Sequence, residues 1–328
     1  MFDEIIRALL STKQHETADI MAVLPRGYDP LPIDRKNLHP ITGPGLWPAI
    51  FIDGGNAEIL GSSDFSLQLV RVYYTKYPRN RRTESGRFDS YVLVSPAKEG
   101  YRTRLFNINN PCLPQEMCMD PNDSSIADGR HRASPQKIID IFRRCAEIRL
   151  AAHVAGTGKL IVLDGTLDAD TSHESDALGA LFMSCSNSNT EISALAKSCS
   201  LVADNGKSVS FVLSGFGGGP WYYNPLASSR SGPEICFARL HRNSSHVFRI
   251  DARRPDRRIF STLAENSRDA LFPGYPYGLI EADRFARVSN KERENLKAAL
   301  IARSGLSWPS IRSMLSSSDT HSILDRIS

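Results

Sequence analysis

Two runs of apolar residues, each closed by Asp-Gly, constrain this chain more than anything else in it. Ala49-Ile50-Phe51-Ile52 leads into Asp53-Gly54-Gly55, and Leu160-Ile161-Val162-Leu163 leads into Asp164-Gly165. Short unbroken apolar runs bounded by turn residues read as strands buried on both faces. Each Asp-Gly then reads as the turn that leaves the sheet. A lone Asp-Gly is an ordinary turn former; two of them, each after a pure apolar strand, could set two carboxylates side by side at one sheet edge. Paired carboxylates suit divalent cations, which prefer hard oxygen ligands.

The chain has 328 residues, enough for one large domain or two small ones. Hydrophobic content of 41% and charged content of 23% are those of a soluble globular protein. The formal charge of +4 permits a polyanionic partner without requiring one. No apolar run approaches the roughly 20 residues of a membrane span. Asp3 and Glu4, with no long apolar stretch after them, argue against a secretory leader. Six cysteines without a CxxC pair point to reduced thiols in a cytoplasmic protein, not to a disulfide or zinc framework.

Helical spacing of Ile5, Ile6, Leu9, Leu10, Ala18, Ile20 and Met21 predicts an amphipathic helix over 2–23, stopped by Pro25 and Gly27. A Pro-rich connector follows. The expected division is 1–46 as N-terminal helix and linker, 47–315 as the main domain, and 316–328 as a Ser-rich tail. Strands are expected at 47–53, 57–60 and 64–77, with a further pair at 91–94 and 101–107 beyond a solvated loop at 78–87. Ser134-Pro135 should open a long helix reaching Val154. After the strand at 160–164 come a helix at 190–202, a strand at 209–213, a hairpin at 234–240 and 247–250, a helix at 263–271, an extended segment at 278–288 and a helix at 291–303. The acidic stretch Asp168, Asp170, His173, Glu174 and Asp176 lacks calcium-loop spacing and reads as solvated.

A three-strand meander followed by αβαβ is the layout of the ribonuclease H-like fold. The expected class is therefore α/β, with a mixed five-stranded sheet and helical N-terminal and α+β C-terminal additions. Such a fold takes acids from its first strand, first helix and fourth strand, here Asp53, Glu147 and Asp164. Glu147 alone could be a surface partner of Arg143 or Arg144. Leu150, Ala151 and Val154 on its side argue for cover, and a covered carboxylate needs a partner. Three converging acids would support two-metal phosphodiester hydrolysis.

Basic clusters at Arg79, Arg81 and Arg82 and at Arg253, Arg254, Arg257 and Arg258 could contact phosphates, or could be solvated loops. Trp221-Tyr222-Tyr223 could stack on unpaired bases, although packing is the plainer reading. Gly156-Thr157-Gly158-Lys159 precedes a strand and lacks the Ser or Thr of a phosphate loop. His241 and His246 have no third ligand nearby.

Gly274-Tyr275-Pro276-Tyr277-Gly278-Leu279-Ile280-Glu281-Ala282-Asp283, followed by Arg287-Val288-Ser289 and a charged helix, resembles the closing motif of the NurA nucleases. Asp53-Gly54-Gly55 resembles that family's opening Asp-Gly-Ser, and a helical Glu and a strand Asp follow at a similar interval. The likeness runs over roughly 47–300. It implies a manganese-dependent DNA nuclease, with Mg²⁺ as the other candidate ion, on a ribonuclease H-like core. It implies 5′-end exonuclease and single-strand endonuclease activity in double-strand break processing, as a homodimer with a hexameric HerA-type translocase. Carried over by position, Asp53, Glu147 and Asp164 are metal ligands and Tyr275 is a site residue. Asp283 stands where the family has a histidine that ligates metal or donates a proton; an Asp still binds Mn²⁺ but is a poorer acid at neutral pH. That departure keeps a second reading open, a catalytically impaired DNA-binding scaffold for a HerA-like ATPase. A nuclease acting on RNA is a third.

Overall fold

The computed structural model describes residues 2–11, 20–25, 27–106, 113, 116–127, 131–229 and 232–315. In chain order the strands begin with β1 (Tyr28–Pro30), β2 (Leu38–Pro40), β3 (Ala49–Gly61), β4 (Ser66–Tyr77) and β5 (Glu84–Ala97). They continue with β6 (Gly100–Phe106), β7 (Cys118–Met119), β8 (Leu160–Asp164) and β9 (Glu191–Ala196). The last four are β10 (Trp221–Tyr223), β11 (Ala227–Ser229), β12 (Glu234–Arg239) and β13 (Phe248–Ala252). The helices are α1 (Phe2–Ser11), α2 (Pro135–Val154), α3 (Ser172–Asn187), α4 (Val209–Ser214), α5 (Arg257–Asn266), α6 (Tyr277–Ala286), α7 (Asn290–Ser304) and α8 (Trp308–Leu315).

Eleven strands form one mixed sheet in the order β2-β10-β12-β13-β9-β8-β3-β4-β5-β6-β7. Its middle is β5-β4-β3-β8-β9. Strands β3, β4 and β5 make an antiparallel meander, β8 runs parallel to β3, and β9 runs parallel to β8. Helices α2 and α3 are the connections. The expected meander and αβαβ order is therefore present, but its five strands sit inside a sheet more than twice as wide.

Alternation along β3 and β8 divides the core. Ile50, Ile52, Ile161 and Leu163 pack with Ala146, Leu150 and Leu181 from α2 and α3. Phe51, Leu160 and Val162 face the other way and pack with Phe260, Leu263 and Leu279 from α5 and α6. Helix α6 lies so close to β3 that a Cβ at Gly278 would collide with the Phe51 ring. Buried Arg71 ties α7 to the sheet, with Asp89 at 2.7 Å and Glu292 at 2.7 Å.

Several expectations need correction. β3 does not end at Asp53: pairing with β4 carries it to Gly61, so the segment near Ala57 is the same strand. Gly54 and Gly55 serve close packing instead of a turn, since a Cβ would stand 2.5 Å from Glu147 Oε1 and 2.5 Å from the Ala286 carbonyl, respectively. The third meander strand is β5, which begins inside the stretch expected to be a solvated loop. The acidic stretch opens α3, where Thr171 and Glu174 form a reciprocal capping box. The helix expected at 190–202 is strand β9, and the strand expected at 209–213 is α4 with Val209 and Leu213 buried one turn apart. The extended segment expected at 278–288 is mostly α6, which buries Leu279, Ala282 and Ala286 at helical spacing. The helix expected at 263–271 is α5, which starts and ends earlier. α1 covers the start of the predicted N-terminal helix; 12–19 lie outside the described residues, and Val23 is extended, its N–H donating to the Val202 carbonyl at 2.8 Å. Residue 107 and the tail 316–328 also lie outside them.

Candidate active site

Parallel pairing brings the C-terminal ends of β8 and β9 to one edge of the sheet beside the middle of β3. Ile52 is registered with Leu163, and Asp164 with Leu195. Continuing that register puts Asp53 next to Asp164, on the α6 side of the sheet. Gly165, at φ +98°, turns the chain away after β8, in a conformation that suits glycine. Beyond Asp53, β3 continues without β8 beside it.

Lys197, the first residue after β9, lies among these acids. Its Nζ is 2.7 Å from Asp164 Oδ2, 3.0 Å from Asp283 Oδ1 and 3.9 Å from Asp53 Oδ2. Asp283 reaches the cluster from α6 and also meets Arg287 at 3.1 Å. The Tyr275 hydroxyl donates to Asp164 Oδ1 at 3.4 Å, while its ring packs edge-on against Phe248 and Phe272. Tyr275 is therefore at once a core side chain and a site contact.

Glu147 approaches from the opposite face, on α2, through the space left by Gly54. Arg143 and Arg144 hold its carboxylate, the latter at 3.3 Å. The same two guanidiniums donate to the Gly54 carbonyl at 3.2 Å and the Asp164 carbonyl at 3.1 Å, pinning α2 to both acid-bearing strands. Asp53, Glu147, Asp164 and Lys197 line one cleft of about 460 Å³, together with Asp140 and Glu174.

The electrostatics are those of carboxylates crowded around a buried Asp53. Burial lifts the Asp53 carboxyl to about 8, reinforced by the neighbouring charges of Glu147 and Asp164 and opposed by Lys197. Burial works to lower the Lys197 ammonium, but its hydrogen bond and attraction to Asp164, with Asp53 and Asp283, prevail and raise it. Burial, then Asp164 and Asp53, push the Tyr275 hydroxyl up as well. The donor chemistry suits a hard divalent cation. Yet among the described residues no three acid, imidazole or thiol side chains are grouped as a set that could hold a metal ion. The arrangement accounts for this: Lys197 takes the central position and Glu147 is turned to its arginines.

Three of the seven arginines in the basic clusters are engaged in structure. Arg82 pairs with buried Glu281 at 2.7 Å, and Tyr73 and Tyr77 donate to the same carboxylate. Arg253 donates to the Phe182 carbonyl at 2.6 Å and Arg258 pairs with Asp256 at 2.5 Å. Arg79, Arg81, Arg254 and Arg257 are exposed. Trp221 and Tyr223 are buried, and Tyr222 stacks on Phe260 at 4.1 Å, so this aromatic triplet is packing. His246 packs against Phe248 and Phe272, and Lys159 donates to the Asn189 carbonyl at 2.7 Å. Sequence reasoning missed Lys197 because its segment read as helix. The available signal was its place directly after a third apolar strand.

No protein-family model matches the chain, and no curated protein matches its sequence. Solved structures do match. The NurA nuclease from Sulfolobus solfataricus aligns with a TM-score of 0.52 at 14% identity, covering 82% of this chain and 87% of that one. A NurA structure with manganese aligns with a TM-score of 0.53 at 8% identity, covering 92% and 97%. A third NurA structure aligns with a TM-score of 0.52 at 8% identity, covering 84% and 92%. The chain thus has the fold of the NurA nuclease structures over most of its length.

Proposed function

We propose that this protein is a metal-dependent nuclease that hydrolyses phosphodiester bonds of DNA. One observation carries the reading: Asp53, Asp164 and Asp283, from three distant parts of the chain, converge on a single cation position in a fold shared with NurA nuclease structures. Asp53 and Asp164 would hold a divalent ion, Mn²⁺ or Mg²⁺, with Asp283 and Glu147 completing the set. Such an ion lowers the pKa of an attacking water and offsets charge on the phosphate.

The chain's own groups supply the rest. Tyr275 fixes the orientation of Asp164 through its hydroxyl. Arg143 and Arg144 keep Glu147 beside Asp53 in spite of their mutual repulsion. Exposed Arg79, Arg81, Arg254 and Arg257 would contact phosphate, while Arg82, Arg253 and Arg258 are engaged with Glu281, the Phe182 carbonyl and Asp256. The finer reading is 5′-end exonuclease and single-strand endonuclease activity in double-strand break processing, as a homodimer partnered by a hexameric HerA-like translocase. It rests on the closing-motif resemblance and on the NurA fold. Among the described residues no helix is long and apolar enough to cross a membrane.

The test is a cleavage assay with Mn²⁺ on single-stranded and 5′-recessed DNA, with an RNA competitor, using the parent protein and Asp53→Ala and Asp164→Ala. Cleavage lost in both variants supports the reading. Equal cleavage by parent and variants overturns the site. A parent that binds DNA without cutting it leaves the scaffold reading, which the Lys197–Asp283 pair at the cluster favours.

A further inference from the structure

Lys197 has a property the nuclease reading does not use. Its ammonium lies within 4 Å of three carboxylates, at the point where an incoming cation would be attracted most strongly. A divalent ion held by Asp53 and Asp164 would stand against that ammonium, and like charges at such separations repel strongly in a half-buried site. The two cations therefore exclude one another. The side chain is 45% exposed, so its head can leave toward solvent along its flexible stem without disturbing the core.

We propose that Lys197 is a resident counter-ion of the acid cluster, held in the metal-free protein and displaced when a divalent cation binds. It keeps Asp53, Asp164 and Asp283 together before metal arrives, and it sets the metal concentration at which the site fills. Because coupling is reciprocal, metal binding and lysine docking in the cluster oppose one another by the same factor in both directions. The ammonium, once released, stays tethered at the end of β9, beside the cleft. This inference rests on the reading that the cluster takes a divalent ion.

Calorimetric titration with Mn²⁺ of the parent, Lys197→Met and Lys197→Arg tests it without recourse to activity. Lys197→Met should bind Mn²⁺ about tenfold or more tightly than the parent, while its metal-free form melts at a lower temperature. Lys197→Arg, which keeps the charge, should show no such gain. A lysine with a merely structural role would give weaker or unchanged binding on removal. A second measurement needs no variant: acylation of Lys197 in the parent, followed by mass spectrometry, should speed up several-fold when Mn²⁺ is added. Parent binding with no gain in Lys197→Met, or acylation unchanged by Mn²⁺, overturns the displacement and leaves the metal site standing. Absence of Mn²⁺ binding in both the parent and Lys197→Met overturns the two together. If Lys197→Met does not fold, the acylation result decides.

Discussion

Two buried acid clusters flank the turn after β8, and they are built on opposite principles. In one, Arg249 meets Asp251 at 2.7 Å and Asp168 at 2.5 Å, and the Leu167 N–H donates to Asp251 at 2.9 Å. Burial lifts the Asp251 carboxyl, but every close partner save Asp168 pulls it back down. In the other, Asp53 accepts from the Gly54 N–H at 2.7 Å and has the Lys197 ammonium 3.9 Å away, while Glu147 and Asp164 add to the effect of burial. The first cluster binds its arginine to both acids at close range and fixes the turn that presents Asp164. The second crowds carboxylates around Asp53, while its cations sit closer to Glu147, Asp164 and Asp283. Crowding of that kind is what the proposed metal site would draw on.

The largest expected effect separates the clusters by activity. Asp53→Ala or Asp164→Ala should lower Mn²⁺-dependent cleavage by about a thousandfold or more, with an unchanged circular dichroism spectrum. Retained cleavage in either variant would erase the functional half of the contrast. Next comes stability. Arg249→Met strands two acids, one fully buried, and should cost about 3–5 kcal/mol in denaturant melts. A cost near zero would show that this pair holds nothing in place.

Asp53 should behave the other way. Its folded-state pKa is raised, so between about pH 4 and about pH 8 the folded protein keeps a proton that the unfolded chain has lost. Metal-free stability should therefore fall as pH rises through that window. Asp53→Asn should flatten the slope and raise stability at pH 8 by about 1–3 kcal/mol. In the same window, Mn²⁺ affinity should climb by up to about tenfold per pH unit, because binding expels that proton. The smallest effect is expected at an exposed pair: Arg268→Ala, whose partner is Glu265, should leave the melting temperature unchanged within error.

Much of the sheet's centre was legible because it is written in unbroken apolar runs. The strands around Phe51 and Val162 announce themselves in that way, and helix α2 by its Ser134-Pro135 start. Reading failed where propensity and burial disagree. Glu191–Ala196 is rich in Ala and Leu, yet it is a strand because β8 and β13 enclose it on both sides. Val209–Ser214 is rich in β-branched and aromatic residues, yet forms a short helix over the core around Trp221 and Tyr223. The Thr171 to Glu174 capping box lies within the acidic stretch that read as solvated, and it opens α3. Within the site, Asp53, Glu147, Asp164, Tyr275 and Asp283 could all be singled out as residues. Their meeting with Lys197 could not, since no local pattern encodes which lysine a fold will carry to a distant carboxylate.

Contact between Lys197 and Asp283 joins segments made far apart in time. A chain emerging from the ribosome presents Asp53 and Asp164 long before residue 283 appears, and the same helix that packs Gly278 against Phe51 carries Asp283 to its partner. A prematurely terminated product would thus carry the early acids without the helix that finishes their enclosure. Assembly of the cluster therefore waits on α6 as well as on β3, β8 and β9.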